Sequence, residues 1–175
     1  AAASLGTSLG ALTTEAGGDV VSFGATKNGA LGAEAVVFTS ALGAEGFEFV
    51  RKQGMQLASK MRFISAQLDA LLSDDLWRRT AAHANAMASR LGNGVAATDG
   101  VELVHPVEAN GVFATLPRPV IERLLVELPG EHPFYVWDEE ADVVRWMCSW
   151  DTPAEDVDAR SRALSATASG RRSAP

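Results

Sequence analysis

The chain has little cysteine and no excess of positive charge. Its single cysteine among 175 residues, Cys148, excludes an internal disulfide and fits a reducing compartment, so we expect a cytoplasmic protein. Its 15 basic and 22 acidic residues give a formal charge of −7, which argues against nucleic acid or a membrane surface as the main partner. No apolar stretch is long enough to cross a bilayer, and the first residues do not follow the pattern of a signal peptide.

Several catalytic and metal-binding patterns are also missing. His83, His105 and His132 are scattered, and their spacing does not match a zinc motif, so we expect no metal site. The chain shows no Ser-His-Asp arrangement, nucleotide-binding glycine fingerprint or kinase motif. Its hydrophobic content of 47% and charged content of 21% are ordinary. The length suffices for a buried core in one domain or in two small ones.

Lys27 is the most informative residue. It lies in residues 20–29 (VVSFGATKNG), where a short apolar run is followed by a loop of small residues. A lysine that the fold holds still and shields from water becomes a nucleophile that can form a Schiff base with a carbonyl cofactor such as pyridoxal phosphate. The alternative is a solvated lysine beside an Asn-Gly turn. Gly24, Gly29 and Gly32 would let the backbone turn sharply and approach a ligand.

A series of further motifs favours the cofactor interpretation. In chain order they are residues 22–29 (SFGATKNG), 32–38 (GAEAVVF), 51–52 (RK), 59–63 (SKMRF), 74–77 (DDLW), 105–110 (HPVEAN), 144–145 (VR) and 149–152 (SWDT). Over nearly the whole chain, this series resembles the low-specificity L-threonine aldolases, which are fold-type I pyridoxal phosphate enzymes. The resemblance implies that Lys27 is the lysine that holds the cofactor.

Further residues are candidates for the site, Arg145 and Arg62 from the same resemblance. Arg145 matches the arginine with which the family's small domain binds the α-carboxylate of the amino acid. Its place in an apolar strand agrees with a buried carboxylate partner, although an edge-strand arginine in a surface ion pair is the alternative. Arg62 matches an arginine that reaches the cofactor phosphate, often across a subunit boundary, and Lys52 is also a candidate. Thr26 could hydrogen-bond the phosphate or fix the loop.

Hydrophobic periodicity and the resemblance together predict an α/β to α+β chain. We expect the end of a fold-type I transferase-like large domain, followed by a small α+β C-terminal domain. The predicted segments are 1–45 (remnant of the cofactor-binding large domain), 46–92 (connecting helices), 93–165 (small domain) and 166–175 (disordered tail). Strands are predicted at 20–23 (buried), 35–38, 101–104, 112–115, 132–137 and 142–150.

The helices are predicted from apolar spacing and from their end signals. Residues 45–72 form one long helix or two, with a break possible at Gly54. A second helix begins at 73–75 and stops at Gly92 and Gly94, and a short one spans 119–127. The last helix opens with Thr152 as N-cap, Pro153 in the first helical position and Glu155 completing a capping box.

The resemblance implies cleavage of L-threonine or allo-threonine to glycine and an aldehyde, with pyridoxal phosphate as cofactor. The substrate is then a small amino acid, and the complete enzyme is a homo-oligomer. The family carries its pyridinium aspartate in a His-x-Asp-Gly-Ala-Arg motif that would fall before Ala1, so we expect an N-terminally truncated aldolase. The alternatives are a non-catalytic remnant that depends on a partner, and another fold-type I lyase or aminotransferase.

Overall fold

The chain forms two compact units. The computed structural model describes residues 1–41, 43–127 and 134–170. Unit 1 comprises Ala1–Thr80 and unit 2 comprises Ala81–Pro175. His132 and the last five residues of the predicted tail lie outside the described residues. Among the described residues, none of the helices combines the length and the apolar character that crossing a bilayer requires.

Unit 1 contains a two-stranded hairpin and short helices. Its elements are α1 (Ala2–Leu5), a 3-10 turn (Gly10–Leu12), β1 (Val20–Gly24), β2 (Glu34–Phe38), α2 (Phe47–Gln53) and α3 (Met61–Leu72). β1 and β2 pair antiparallel. The predicted strand at 20–23 is confirmed, but the prediction that it is buried is wrong, since Val20 is 47% exposed. In a two-stranded sheet each strand has only one neighbouring strand, so much of the hairpin stays exposed to solvent.

The predicted helical region 45–72 consists of two helices. α2 ends at Gln53, the helix is interrupted at Gly54, and α3 begins at Met61. The inner face of α3 includes Ile64, Leu68 and Leu71, which are three or four residues apart as a helix requires. These side chains pack with the buried Ala25 and Ala33 of the hairpin. The α3 helix therefore supports the loop that carries Lys27.

Unit 2 is built around a four-stranded antiparallel sheet. Its elements are α4 (Leu76–Ala96, of which the first turn belongs to unit 1), β3 (Glu102–Leu103), β4 (Gly111–Thr115), α5 (Arg118–Glu127), β5 (Tyr135–Asp138), β6 (Val143–Met147) and α6 (Ala154–Ala168). The strand order is β3-β4-β6-β5. β6 is therefore an inner strand, with β4 on one side and β5 on the other.

The core of unit 2 lies between this sheet and helices α4, α5 and α6. Alternate residues of the two inner strands are fully buried, with Val112, Ala114 and Val144 at 0% exposure. They pack against Leu91 of α4 and Leu164 of α6, among others. The alternation predicted for residues 142–150 is confirmed at the inward positions of β6, because successive side chains of a strand point to opposite faces.

Two predicted helix boundaries are wrong. α4 does not stop at Gly92 and Gly94 but continues to Ala96. A Cβ atom at Gly92 would lie 2.7 Å from Val107 Cγ2, and one at Gly94 would lie 2.3 Å from Ser161 Oγ. Both glycines therefore serve close packing within the helix rather than its termination. At the other end of the chain, α6 extends through Ala168, three residues into the predicted tail.

The predicted capping box of α6 is also wrong. Pro153 is the N-cap and the helix begins at Ala154, with no side-chain hydrogen bond at the cap. The Thr152 hydroxyl instead accepts a hydrogen bond of 2.7 Å from the Ser149 N–H. The hydroxyl thus stabilises the turn between β6 and α6, at the residue before the N-cap.

An ion pair joins two helices of unit 2. Arg90 of α4 donates from Nε and Nη2 to the two carboxylate oxygens of Asp158 in α6, at 2.6 and 2.7 Å. These hydrogen bonds and the attraction of the charge lower the pKa of Asp158 from its ordinary value. The two parallel hydrogen bonds give this contact between α4 and α6 a defined geometry.

Candidate functional site

Lys27 lies in the middle of a 3-10 turn, Thr26–Asn28, between β1 and β2. The turn is built on Ala25, whose carbonyl accepts hydrogen bonds from Asn28 N–H (3.0 Å) and Ala30 N–H (3.2 Å). Ala25 N–H donates to the Ala33 carbonyl at 2.9 Å, and both alanines are fully buried. The backbone beneath Lys27 is therefore ordered by hydrogen bonds.

The Lys27 side chain is exposed. Among the described residues, its amine has no hydrogen-bond or ion-pair partner. A lysine without such a partner gives up no protein contact when it reacts with a carbonyl compound. The fixed backbone suits a lysine that carries a cofactor, but the exposed side chain is not shielded from water as expected for a reactive lysine, and the cofactor role of Lys27 stays a prediction.

Thr26 ties the turn to the start of β2. Its hydroxyl donates a hydrogen bond of 3.3 Å to Glu34 Oε1. The Glu34 carboxylate lies against Gly24, where a Cβ atom would be 2.6 Å from Oε2. The hydrogen bond agrees with the alternative in which Thr26 fixes the loop, and the threonine side chain is exposed.

Asn28 was missed as a functional candidate by the sequence analysis. Its Nδ2 donates to the Trp77 carbonyl at 3.0 Å, and the Thr80 hydroxyl lies 3.0 Å from its Oδ1. Leu31 N–H donates to Gln67 Oε1 of α3 at 2.8 Å, which holds the far side of the loop. The contacts of Asn28 cross 49 and 52 residues of chain, so no local pattern could have revealed them.

The two candidates for the phosphate lie on the helices of unit 1. Arg62 is the second residue of α3, is exposed, and has its guanidinium carbon 4.7 Å from the centroid of the Phe63 ring. Lys52 is exposed in the last turn of α2. Within the described ranges, neither forms an ion pair, and neither is joined to the Lys27 turn by a hydrogen bond. Their phosphate role stays a prediction.

A groove of about 730 Å³ also lies within unit 1. It is lined by residues of the hairpin, α2 and α3, including Ser22, Glu34, Phe38, Phe47, Met61 and Ile64. Lys27, Thr26 and Arg62 are not among its lining residues. The groove is therefore a feature of the same hairpin but not of the lysine turn itself.

Arg145 lies on the inner strand β6 of unit 2, opposite Phe113 of β4 and Tyr135 of β5. Its guanidinium carbon is 4.6 Å from the centroid of the Trp137 ring and 5.4 Å from that of Tyr135. These distances are typical of cation–π contacts. No carboxylate of the described residues forms an ion pair with it. The alternative of an edge-strand arginine in a surface ion pair is therefore wrong.

The surroundings of Arg145 agree with its role as a carboxylate-binding residue, which stays a prediction. Its Nε is buried and has no hydrogen-bond partner among the described residues. Contact with the faces of aromatic rings does not use up N–H donors, whereas a carboxylate accepts two parallel hydrogen bonds from a guanidinium. Trp137 and Tyr135 are 58% and 69% exposed, so this face of the unit 2 sheet is open to a ligand.

The fold is similar to that of a solved enzyme structure. The structure of Leishmania major threonine aldolase matches with a TM-score of 0.76 at 25% sequence identity, covering 86% of this chain and 44% of that chain. The chain thus has the mixed α/β architecture of the fold-type I enzymes with a small region of sheet and helices, which confirms the predicted fold class.

Two curated proteins are more similar in sequence. The low specificity L-threonine aldolase of Pseudomonas aeruginosa is 47% identical over 157 residues, which are 90% of this chain and 44% of that protein. Its counterpart in Pseudomonas sp. strain NCIMB 10558 is 46% identical over 166 residues, 95% of this chain and 46% of that protein. No family model matches. The chain is a relative of the low-specificity L-threonine aldolases, as its motifs predicted, and it spans slightly less than half of their length.

Proposed function

We propose that this chain carries the lysine-bearing and carboxylate-binding parts of a pyridoxal phosphate-dependent L-threonine aldolase. The reaction is the cleavage of L-threonine or allo-threonine to glycine and acetaldehyde. The observation that supports it most strongly is the Lys27 amine, which has no hydrogen-bond or ion-pair partner among the described residues and lies on a turn that backbone hydrogen bonds hold, in a chain 46–47% identical to such aldolases. In this proposal Lys27 is the residue that acts covalently.

The residues of unit 1 fit two parts of the cofactor, its carbonyl group and its phosphate. Lys27 would hold pyridoxal phosphate through its amine, while Thr26 and Arg62 are the candidates to contact the phosphate. The fit rests on an amine that no described residue engages and on a turn made of small residues. When bound, the cofactor supplies an electron sink for the negative charge that develops when the Cα–Cβ bond breaks.

Arg145 would bind the substrate carboxylate. A bidentate contact from its guanidinium fixes two oxygens of the amino acid and thereby its orientation. The aromatic rings beside it exclude water from one face of the guanidinium, which strengthens its attraction to a carboxylate. We also propose that the complete enzyme is a homo-oligomer and that it acts in the cytoplasm, where a free thiol such as Cys148 persists.

A second candidate function is binding to a partner without catalysis by this chain alone. The observation that favours it is the exposed hairpin of unit 1, where Val20, Val36 and Val37 are 43–47% exposed on strands with unpaired outer edges. Such strands pair readily with another chain. This candidate predicts a chain that associates with other polypeptides but does not retain the cofactor.

Borohydride reduction in the presence of pyridoxal phosphate, followed by mass mapping, tests the first proposal. The label should concentrate at Lys27, and the Lys27→Ala variant should lose it while Lys60→Ala should keep it. Threonine cleavage, measured as glycine and acetaldehyde, should then depend on Lys27. Label spread evenly over the lysines would reject the cofactor role. Consumption of another β-substituted amino acid without glycine formation from threonine would favour a different fold-type I lyase.

A further inference from the structure

The amide side chain of Asn28 is held at both of its ends. Nδ2 donates to the Trp77 carbonyl at 3.0 Å, while Oδ1 lies 3.0 Å from the Thr80 hydroxyl. Turning the amide over would bring Oδ1 toward the Trp77 carbonyl, placing two acceptors together. The pair of contacts therefore selects one orientation of the side chain. Asn28 and Thr80 are half-buried, so water competes only partly for these hydrogen bonds.

The two contacts of the Asn28 side chain, with the Trp77 carbonyl and the Thr80 hydroxyl, form a clamp that is attached to helix α4. Trp77 and Thr80 lie in the first turns of α4, a helix of 21 residues. The Thr80 hydroxyl is also 3.0 Å from the carbonyls of Leu76 and Trp77, so its single hydrogen is shared among these acceptors and Asn28 Oδ1. The first turn of α4 therefore fixes Thr80, and Thr80 with the Trp77 carbonyl fixes Asn28.

The position of Asn28 gives the clamp its effect on Lys27. Asn28 follows Lys27 directly and closes the turn by donating its N–H to the Ala25 carbonyl. Gly29 then leaves the turn at φ 112°, a conformation that few other residues adopt without strain. The backbone of Lys27 is thus held between buried Ala25 on one side and the clamped Asn28 on the other, although its side chain forms no hydrogen bond or ion pair with the residues that the structure describes.

We propose that Asn28 and Thr80 are positioning residues that hold the Lys27 turn in the geometry in which its amine reacts with a carbonyl. This inference rests on the proposed function of Lys27, and it adds a requirement that the function alone does not contain. Reactivity at Lys27 depends on a hydrogen-bonded link to α4, because an amine on a loosened turn samples the reactive position for a smaller fraction of the time.

The chain offers an internal reference for the test. Its only lysines are Lys27, Lys52 and Lys60, and the other two are exposed at helix ends, Lys52 in the last turn of α2 and Lys60 at the N-cap of α3. The measured quantity is the ratio of reduced pyridoxyl label at Lys27 to the label at Lys52 and Lys60. A loss of overall folding would change reactivity at all three lysines, whereas the clamp affects Lys27 alone.

Removing either partner of the clamp should lower this ratio. For Asn28→Ala and for Thr80→Val we expect a decrease of roughly five- to tenfold, the effect of losing one or two hydrogen bonds. Thr80→Ser keeps the hydroxyl and should restore the ratio. The matched control is Asn110→Ala in unit 2. Asn110 Nδ2 donates a similar hydrogen bond of 2.9 Å to the Cys148 carbonyl, and its loss should leave the ratio unchanged.

The outcomes separate this inference from the proposed function. If the unsubstituted chain is labelled selectively at Lys27 and both clamp variants keep the same labelling ratio, the positioning role of Asn28 and Thr80 is wrong while the cofactor role of Lys27 stands. If all three lysines are labelled equally in the original chain, the cofactor role is wrong. Hydrogen exchange at the amides of Gly29, Ala30 and Leu31 then decides about the clamp. Faster exchange in Asn28→Ala and Thr80→Val, but not in Thr80→Ser, supports it, and unchanged exchange rejects it.

Discussion

At the scale of single residues, Arg145 differs in its partners from two other arginines of unit 2, Arg90 and Arg118. Arg90 and Arg118 are paired with carboxylates, Arg90 with Asp158 and Arg118 with Glu139 and Asp142. Such surface pairs contribute little to stability, and the paired carboxylate competes with a ligand for the guanidinium. Arg145 is held by aromatic rings instead and has no ion pair among the described residues. The guanidinium of Arg145 is therefore not engaged by a carboxylate as those of Arg90 and Arg118 are.

The substitution Arg145→Lys tests the carboxylate role. It keeps the positive charge but removes the planar fork that can donate two parallel hydrogen bonds. In enzyme loaded with cofactor, we expect the KM for L-threonine to rise by about tenfold or more, since each lost charge-assisted hydrogen bond is worth about 1.5–3 kcal/mol. Steady-state rates measure this effect. Lys27 labelling should not change, because Arg145 has no part in holding the cofactor.

Arg90→Lys provides the control for this substitution, since Arg90 is a paired arginine of the same unit. It should leave the KM unaltered. A KM for Arg145→Lys equal to that of the unsubstituted enzyme would show that Arg145 does not bind the substrate carboxylate.

At the scale of elements, the packing of α4 against α6 depends on Gly94. A Cβ atom there would lie 2.3 Å from Ser161 Oγ and 2.7 Å from Ser161 Cβ, closer than real atoms approach. Gly94→Ala gains helix propensity, about 1 kcal/mol, but forces a shift of packed neighbours that costs about 1–3 kcal/mol. We expect a lower free energy of unfolding, measured by denaturant titration followed by circular dichroism.

Two further variants make this prediction specific. Asn93 is the exposed neighbour of Gly94 in the same helix, so Asn93→Ala should be neutral or slightly stabilising. Ser161→Gly removes the atoms that the new methyl group would meet, and it should recover part of the stability in the double variant with Gly94→Ala. A Gly94→Ala variant as stable as Asn93→Ala would mean that α4 and α6 adjust without cost.

Sequence periodicity located most of the elements but not their ends. The alternation at Val144, Trp146 and Cys148 predicted β6 and its buried face, because the hydrophobic pattern is local. Gly92 and Gly94 were wrongly assigned as helix stops, since the pattern does not show which element packs nearby. The contacts of Asn28 with α4 were unpredictable for the same reason. What the sequence misses is the set of contacts between residues far apart in the chain.

At the scale of the whole molecule, the two units differ in how much apolar surface they bury. Among the described residues, the core of unit 2 includes large side chains at full burial, such as Ile121, Leu124 and Leu164. The core of unit 1 consists of Ala25, Ala33 and Leu71, with partly buried neighbours. Since stability grows with the apolar area removed from water, unit 1 should be the less stable.

This difference predicts unfolding in two steps. As denaturant rises, amides of β1 and β2 should lose protection from hydrogen exchange before those of β4 and β6. Cys148 gives a second probe, because burial raises the pKa of its thiol and keeps the reactive thiolate scarce until unit 2 opens. Its reaction with a thiol reagent should therefore follow the later step. Loss of hairpin protection at the same denaturant concentration as Cys148 reaction would show instead that the chain unfolds as one cooperative body.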